Sequence, residues 1–282
     1  MDKQQIAKLK SEGFLAQQQQ GYFSVRVVTN VGNMDSRNME KLSEIAEKYG
    51  RGYMGFTTRL CVEIPWIKEE DIDNVKQELK DAGMRHGGTG KRVRPIVPCK
   101  GTVCTHGIID TQGICMKLHE KYFAMELPAK LKIGAVGCPN NCAKASLNDI
   151  GFMGQAYVKI DREKCKNCKL CVGACKTKAI EYVENKTEIN RDKCLNCLVC
   201  SKTCPFGAIT VETAGVALFI GGRFGRQWQI GRRVDRIFKV DEIEEVTGKI
   251  IDYFKENAKD GERLALMIER IGWDKVQKDL FG

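Results

Sequence analysis

The sequence of 282 residues predicts an α+β fold that is interrupted by a cysteine-rich insert. Apolar strand and helix patterns alternate near the start of the chain and return near its end, which is typical of layered α+β domains. Between them lies a cysteine repeat that lacks these apolar patterns, and surface loops tolerate such inserts. The predicted domains are an N-terminal α+β domain at residues 1–90, an α/β domain at residues 91–156 and 213–282, and the insert at residues 157–212.

The N-terminal domain is predicted to contain two strand–helix units. Residues 22–28 are aromatic and β-branched and predict a strand, and a helix that Asp35 or Ser36 can cap follows it. Residues 53–64 predict a second strand, which Pro65 is expected to end. A second helix is predicted over residues 69–82, because apolar residues recur on one of its faces.

The second domain is predicted to deliver cysteine pairs from the ends of two strands. The strands are predicted over residues 93–97 and 131–136, with a helix over residues 115–126 between them. Loops after strand ends often bind ligands, and four thiolates can hold one [4Fe–4S] cluster. The alternative is two unrelated pairs of buried thiols. The four cysteines are Cys99, Cys104, Cys138 and Cys142.

Eight further cysteines form an internal repeat. Each run has the spacing C-x2-C-x2-C-x3-C and is followed by Ala-Ile, and Cys194 follows Cys165 by 29 residues. Bacterial two-cluster ferredoxins have this spacing, and the fourth cysteine of each run binds the other cluster. A zinc site would explain a single CxxC pair but not the doubled pattern. One departure is Lys176, where the motif usually has proline. The predicted ligands are Cys165, Cys168, Cys171 and Cys204 for the first cluster, and Cys175, Cys194, Cys197 and Cys200 for the second.

Composition limits the class of protein. The net charge is +10, but each cluster with four thiolates carries about −2, so three clusters would reduce it to about +4. We interpret the basic excess as a counter-charge for internal anions and expect no nucleic-acid binding. No apolar run is long enough to span a membrane, and the first residues lack the apolar core of a signal peptide. A cytoplasmic location is therefore expected, in which fourteen cysteines favour metal binding over disulfides.

Several separated segments carry a resemblance to a known family. They are Thr57-Thr58-Arg59, the stretch from Arg94 to Thr102, the stretch from Leu127 to Cys142, and Gly261-Glu262-Arg263 with Arg270-Ile271-Gly272. The chain resembles the sirohaem-containing sulfite and nitrite reductases, in particular the small anaerobic type with a ferredoxin insert. The resemblance implies a ferredoxin-like N-terminal domain, a sirohaem and [4Fe–4S] domain, and an inserted bacterial 2[4Fe–4S] ferredoxin. Two departures are a Cys99–Cys104 spacing shorter by one residue and a single copy of a unit that larger members hold twice.

The resemblance also implies roles for individual residues. The four paired cysteines would bind one [4Fe–4S] cluster, and Cys142 would also bridge to the sirohaem iron. Arg59, Arg94, Lys130 and Lys132 would be catalytic, because clustered cations can hold the substrate oxyanion and the sirohaem carboxylates. The further cofactor contacts would come from Arg51, Thr58, Thr102 and Asn140.

The function expected from these features is a six-electron reduction of sulfite to sulfide by an anaerobic, dissimilatory type of reductase. Electrons would pass through the two ferredoxin-type clusters to the sirohaem-coupled cluster. The alternatives are reduction of nitrite to ammonia, and an electron-transfer subunit without sirohaem. No nicotinamide or flavin fingerprint is present, so a separate protein is expected to donate electrons. The single copy of the repeated unit favours a homo-oligomer.

Overall fold

The computed structural model describes all of residues 1–282, which divide into two compact units. Unit 1 comprises Met1–Val97, Cys115–Ile133 and Lys249–Gly282, and unit 2 comprises Pro98–Ile114 and Gly134–Gly248. Both units are therefore discontinuous in sequence. The three predicted domains have different bounds and stay a prediction. No helix of the structure combines the length and apolar character that crossing a membrane requires.

The first part of unit 1 is a four-stranded antiparallel sheet with helices. Its elements are α1 Lys3–Ser11, β1 Phe14–Ala16, β2 Tyr22–Val27, α2 Ser36–Tyr49, β3 Gly55–Phe56, β4 Val62–Lys68, a 3₁₀ helix Glu69–Asp71 and α3 Ile72–Asp81. The strand order is β1-β2-β4-β3. The core consists of alternating strand residues and one apolar face from each of α2 and α3, as the periodicity predicts. Asp35 caps α2 by accepting a hydrogen bond from the N–H of Asn38.

The predicted strand over residues 53–64 is wrong, because a turn divides it into β3 and β4. The Thr57 hydroxyl accepts hydrogen bonds from the N–H groups of Arg59 and Cys61, which stabilises the turn. Pro65 does not end the strand either, since β4 continues to Lys68. The register with β2 is irregular at this point, and a proline without an N–H is tolerated at such a bulge.

The remaining elements include a five-stranded sheet. They are β5 Val97–Pro98, α4 Thr111–Tyr122, β6 Ile133–Val136, a 3₁₀ helix Ala145–Leu147, β7 Ile150–Ile160, β10 Ile209–Ile220, β11 Arg232–Phe238, a 3₁₀ helix Val240–Glu242, and three helices at Ile243–Asn257, Leu264–Ile271 and Trp273–Phe281. The sheet has the order β11-β10-β7-β6-β5, and its long strands β7 and β10 are antiparallel partners.

The predicted strand over residues 93–97 shortens to two residues, and Val93 instead forms an isolated bridge to Leu131. The helix predicted over residues 115–126 begins and ends four residues earlier.

The cysteine repeat of unit 2 lies between β7 and β10 and is a repeat in backbone structure too. Asp161 accepts hydrogen bonds from the two N–H groups just before the first run, and Asn190 does the same before the second run, 29 residues later. Left-handed residues recur at matching positions, with φ of 52° at Asn167 and 57° at Asn196. The elements are α5 Leu170–Ala174, β8 Ile180–Val183, β9 Lys186–Ile189 and α6 Val199–Thr203.

Candidate functional site

Two loops of unit 2 bring the four paired cysteines together. The N–H of Cys99 donates to the carbonyl of Ala135 at 2.8 Å, and the N–H of Gly137 donates to the Cys99 sulfur at 3.1 Å. These bonds fix the loop after β5 beside the loop after β6. Cys138 is buried and Cys99 is half-buried, whereas Cys104 and Cys142 are exposed.

The pKa of Cys138 reflects its burial and the proximity of the other three paired thiols. Burial raises the pKa of the Cys138 thiol, and the nearby thiols of Cys142, Cys99 and Cys104 raise it further. The backbone N–H of Asn140 acts in the opposite direction. Three thiols close enough to act on Cys138 electrostatically, with one N–H already directed at a sulfur, fit the Cys₄ ligation of a [4Fe–4S] cluster.

The approach of the two loops depends on a pair of glycines. A Cβ on Gly101 would lie 2.8 Å from the Cα of Gly137 and 2.9 Å from the Thr111 methyl group. Real Cβ atoms do not approach backbone this closely, so a side chain here would separate the loops.

We expect the Gly101→Ala substitution to lower the melting temperature and the iron content of the protein. Overpacking of this kind costs about 1–3 kcal/mol. Thermal melting and iron analysis measure both effects. The control is Gly173→Ala in α5, where a Cβ meets no atom within 4 Å. Equal melting and iron content for the two variants would contradict the role of Gly101.

The first cysteine run forms a pocket that includes the fourth cysteine of the second run. The pocket is also lined by Lys166, Lys169, Leu170 and Phe206. The pKa of Cys171 is raised by burial, and smaller contributions come from the thiols of its neighbours in the pocket. The cysteines that line this pocket are Cys165, Cys168, Cys171 and Cys204.

The second run forms a larger cleft that reaches the paired cysteines. Its empty space is about 880 Å³, and Cys138, Pro139 and Asn140 line it together with the run. Burial raises the pKa of Cys200 to about 11. No group of three or more Cys, His, Asp or Glu side chains is arranged to hold a single metal ion. The repeat cysteines in this cleft are Cys194, Cys197 and Cys200 of the second run, together with Cys175, the fourth cysteine of the first run.

Backbone N–H groups point at the fourth sulfur of each run. Ala179 donates to the Cys175 sulfur at 3.2 Å, and Ala208 donates to the Cys204 sulfur at 3.3 Å. Burial by itself would raise the pKa of both thiols. The several hydrogen bonds to each sulfur together outweigh burial, so the net pKa of Cys175 and of Cys204 is lowered. Thiolates stabilised by N–H donors are the ligand form that iron–sulfur clusters require.

Unit 1 brings three of the four predicted catalytic cations to neighbouring segments. The Arg59 guanidinium donates to the carbonyls of Pro95 and Ile133, which directly follow Arg94 and Lys132. The Arg94 N–H also donates to the carbonyl of Leu131 at 2.9 Å. Lys130 is exposed and Lys132 is half-buried. Both lysines precede β6, so the predicted strand over residues 131–136, which included Lys132, begins two residues too early.

Arg94 has the surroundings of an anion-binding residue. Its Nε is buried and has no hydrogen-bond partner. Burial lowers the pKa of the Arg94 guanidinium, and the positive charges of Arg26 and Arg263 lower it further. A half-buried cation with an unpaired donor among other cations is stabilised by an anion, so this group of residues in unit 1 fits an oxyanion or a carboxylate of a cofactor.

The other predicted cofactor contacts are engaged in different ways. The Arg51 guanidinium stacks on the Trp66 ring at 3.6 Å, and Thr58 lies exposed in the turn between β3 and β4. The Thr102 hydroxyl donates to Asp110 at 2.6 Å and closes its own loop. Asn140 lines the second cleft. The roles assigned to these four residues stay predictions.

Sequence reasoning missed two cations next to Arg94. Arg26 lies in β2 and pairs with Glu63 at 2.5 Å, and Arg263 immediately precedes the helix Leu264–Ile271. Arg263 belongs to a segment that carried the resemblance, so a signal for it existed. Arg26 had none, because a lone arginine in a strand normally faces solvent.

Comparison with known proteins assigns a family to this arrangement. A family described as the nitrite and sulphite reductase 4Fe-4S domain matches residues 89–280. A second, described as the nitrite/sulfite reductase ferredoxin-like half domain, matches residues 16–82. The two matches together span both discontinuous units.

Individual relatives agree with the family matches. The coenzyme F420-dependent sulfite reductase of Methanocaldococcus jannaschii is 30% identical over 272 residues, which are 95% of this chain and 44% of the relative. One subunit of the anaerobic sulfite reductase of Salmonella typhimurium is 36% identical over 152 residues, 49% of this chain and 44% of the relative. The matched region thus spans less than half of the length of either relative.

A solved structure shares the fold. The crystal structure of dissimilatory sulfite reductase I matches with a TM-score of 0.75 at 22% identity, covering 92% of this chain and 69% of that one. The α+β fold with a ferredoxin-like half domain is thereby confirmed. The chain belongs to the nitrite and sulfite reductase family, as its separated motifs predicted.

Proposed function

We propose that the chain reduces sulfite to sulfide with six electrons, as the catalytic part of an anaerobic, sirohaem-dependent sulfite reductase. One observation carries the proposal most: the second cysteine run and Cys138 line the same cleft. A centre for electron transfer would thereby lie beside a ligand of the proposed sirohaem-coupled cluster. The names of the relatives from M. jannaschii and S. typhimurium support sulfite as the substrate.

Three [4Fe–4S] clusters and one sirohaem are proposed as cofactors. The paired cysteines would hold the sirohaem-coupled cluster, and the two runs would hold the two ferredoxin-type clusters of a bacterial ferredoxin insert. Cys142 is the exposed thiol beside the buried Cys138, so its sulfur is accessible to a second metal. When bound, the sirohaem and its cluster supply the electrons and the iron that binds the anion.

The cations of unit 1 are proposed to neutralise the substrate and to supply protons. Conversion of sulfite to sulfide consumes six electrons and six protons and releases three molecules of water. Arg94 offers an unpaired Nε that can hold an oxyanion. Arg59, whose guanidinium already donates to two backbone carbonyls, is proposed to add a fixed positive charge. Lys130 and Lys132 carry ammonium groups that can give up a proton as each oxygen leaves.

The expected substrate ranking tests the proposal. With a reduced artificial electron donor, we expect a higher kcat/KM for sulfite than for nitrite, because two arginines and two lysines suit the larger dianion. Steady-state kinetics with both anions on the same preparation measure this ratio. The reverse ranking would favour the second candidate, nitrite reduction to ammonia, which the matched family also includes.

The electron donor is proposed to be a separate protein, and a homo-oligomer and a cytoplasmic location remain predictions. The candidate without sirohaem, an electron-transfer subunit, predicts cysteine clusters only. It leaves the unpaired Nε of Arg94 and the surrounding cations unexplained.

A further inference from the structure

The two cysteine runs differ at the positions that surround their sulfurs. The first run places Lys166 and Lys169 between its cysteines, and the second run places Leu195 and Leu198 at the matching positions. The backbone conformation is the same, since φ is 64° at both Lys169 and Leu198. The two halves of the repeat therefore share a shape and differ in charge.

The leucine side of the repeat faces the rest of unit 2. Leu195 and Leu198 line the cleft that also contains Cys138 and Pro139. On the adjacent helix α6, the Lys202 ammonium donates to the carbonyl of Thr105 at 2.5 Å, in the loop that carries Cys104. This half of the repeat is thus the one in contact with the paired-cysteine loops.

The lysine side faces solvent. The pocket of the first run is lined only by residues between 160 and 209, without any residue from the paired-cysteine loops. Its Cys168 is exposed, whereas the matching Cys197 is half-buried. Leu170 and Phe206 at its rim are 52% and 47% exposed. We name Lys166, Lys169, Leu170 and Phe206 the lysine face.

The charges of the lysine face are not neutralised within the chain. Lys164 pairs with Asp161 and Lys193 with Glu181, but neither Lys166 nor Lys169 is in an ion pair. The Lys169 ammonium instead lies 4.0 Å from the centre of the Tyr182 ring, which orients it without cancelling its charge. Two unpaired cations beside exposed apolar side chains form the polar rim and apolar centre of a transient protein interface.

We propose that the lysine face is the docking surface for an acidic one-electron carrier protein, and that electrons enter the chain at the first cysteine run and leave through the second. The carrier is oxidised by one electron in each encounter and the first-run centre is reduced by one, with no bond or proton exchanged. The lysines attract the carrier. Packing of the carrier against the exposed Leu170 and Phe206 places its redox centre next to the centre of the first cysteine run. This inference rests on the proposed ferredoxin-type clusters.

The test is binding of a purified acidic flavodoxin to the cluster-loaded chain, measured by isothermal titration calorimetry at low and high salt. The variant Lys166→Gln/Lys169→Gln removes two charges from the lysine face. The matched control Lys3→Gln/Lys8→Gln removes two exposed lysines from α1. We expect binding of the first variant to be about tenfold weaker with a reduced salt dependence, and the control to bind like the unmodified chain.

Carbodiimide cross-linking gives a second readout, because it joins lysines to carboxylates in direct contact. We expect the cross-links to map to Lys166 or Lys169. Equal binding by both variants, or cross-links elsewhere, would overturn the docking proposal. Iron and acid-labile sulfide analysis of the same samples separates this failure from a failure of the proposed function, in which the ferredoxin-type clusters themselves would be missing.

Discussion

The Cys142→Ala variant is expected to have no measurable sulfite reductase activity. Cys142 is the proposed bridge between the cluster and the sirohaem iron. Of the four paired cysteines only Cys142 and Cys104 are exposed, and Cys142 is the one on the same loop as the buried Cys138. The iron content is expected to fall from about thirteen to about eight atoms per chain, because the sirohaem-coupled cluster and the sirohaem iron are lost while the two ferredoxin-type clusters keep all their ligands. Turnover, iron content and the absorption spectrum measure the effect.

The control for this variant is Cys115→Ala, which removes a buried thiol outside every proposed ligand set. It is expected to keep its iron and its turnover, with a modest loss of stability from the small cavity. An active Cys142→Ala variant with full iron content would contradict the assignment of the bridging ligand. Loss of all iron would instead mean that the three proposed clusters do not form independently.

The Arg94→Ala variant is expected to lower kcat/KM for sulfite by about 10²- to 10³-fold. Removal of a single preorganised donor to a developing anion commonly has an effect of this size. Arg94 is the cation with a buried, unpaired Nε, and its pKa is lowered by burial and by Arg26 and Arg263. An anion bound to Arg94 would accept the hydrogen bond of its Nε and would offset the burial of its charge among other cations. Steady-state kinetics and sirohaem content measure the loss.

Arg92 provides a matched control two residues away. Its guanidinium already pairs with Glu126 at 2.6 Å, so it has no need of an external anion. The Arg92→Ala variant is therefore expected to keep kcat/KM within about threefold, as is usual for exposed ion pairs. If the two variants lose activity equally, general charge rather than a specific site at Arg94 is responsible.

Local sequence patterns were sufficient for the elements that depend on local chemistry. The helices α2 and α3 follow from their apolar periodicity, and Asp35 follows from capping preferences. The family also follows from short segments whose spacing is specific. The cysteine runs were predicted to exchange their fourth ligands, and each pocket contains three cysteines of one run and the last of the other. The ligand roles themselves stay a proposal.

The features that were missed depend on packing between distant segments. Pro65 was expected to end a strand, because the irregular register with β2 that tolerates it is not visible in sequence. The cations around Arg94 come from Arg26 and Arg263, which only folding brings to it. The close contact of Gly101 with Gly137 is likewise a property of two loops and of neither one alone. The difference between lysines and leucines in the repeat was visible in sequence, but its meaning required the cleft beside Cys138.

The most direct test of the central claim is the absorption spectrum of the chain after expression with sirohaem and iron–sulfur assembly fully supplied. The proposed function predicts a sharp Soret band and red-region bands of sirohaem on top of the broad iron–sulfur shoulder, with about one sirohaem and about thirteen irons per chain, about twelve of them in the clusters. The Cys142→Ala variant should lose the spectral signature of the coupled centre. A broad iron–sulfur shoulder alone, in a protein whose three clusters are fully loaded with iron, would contradict the claim that this chain is a sirohaem reductase.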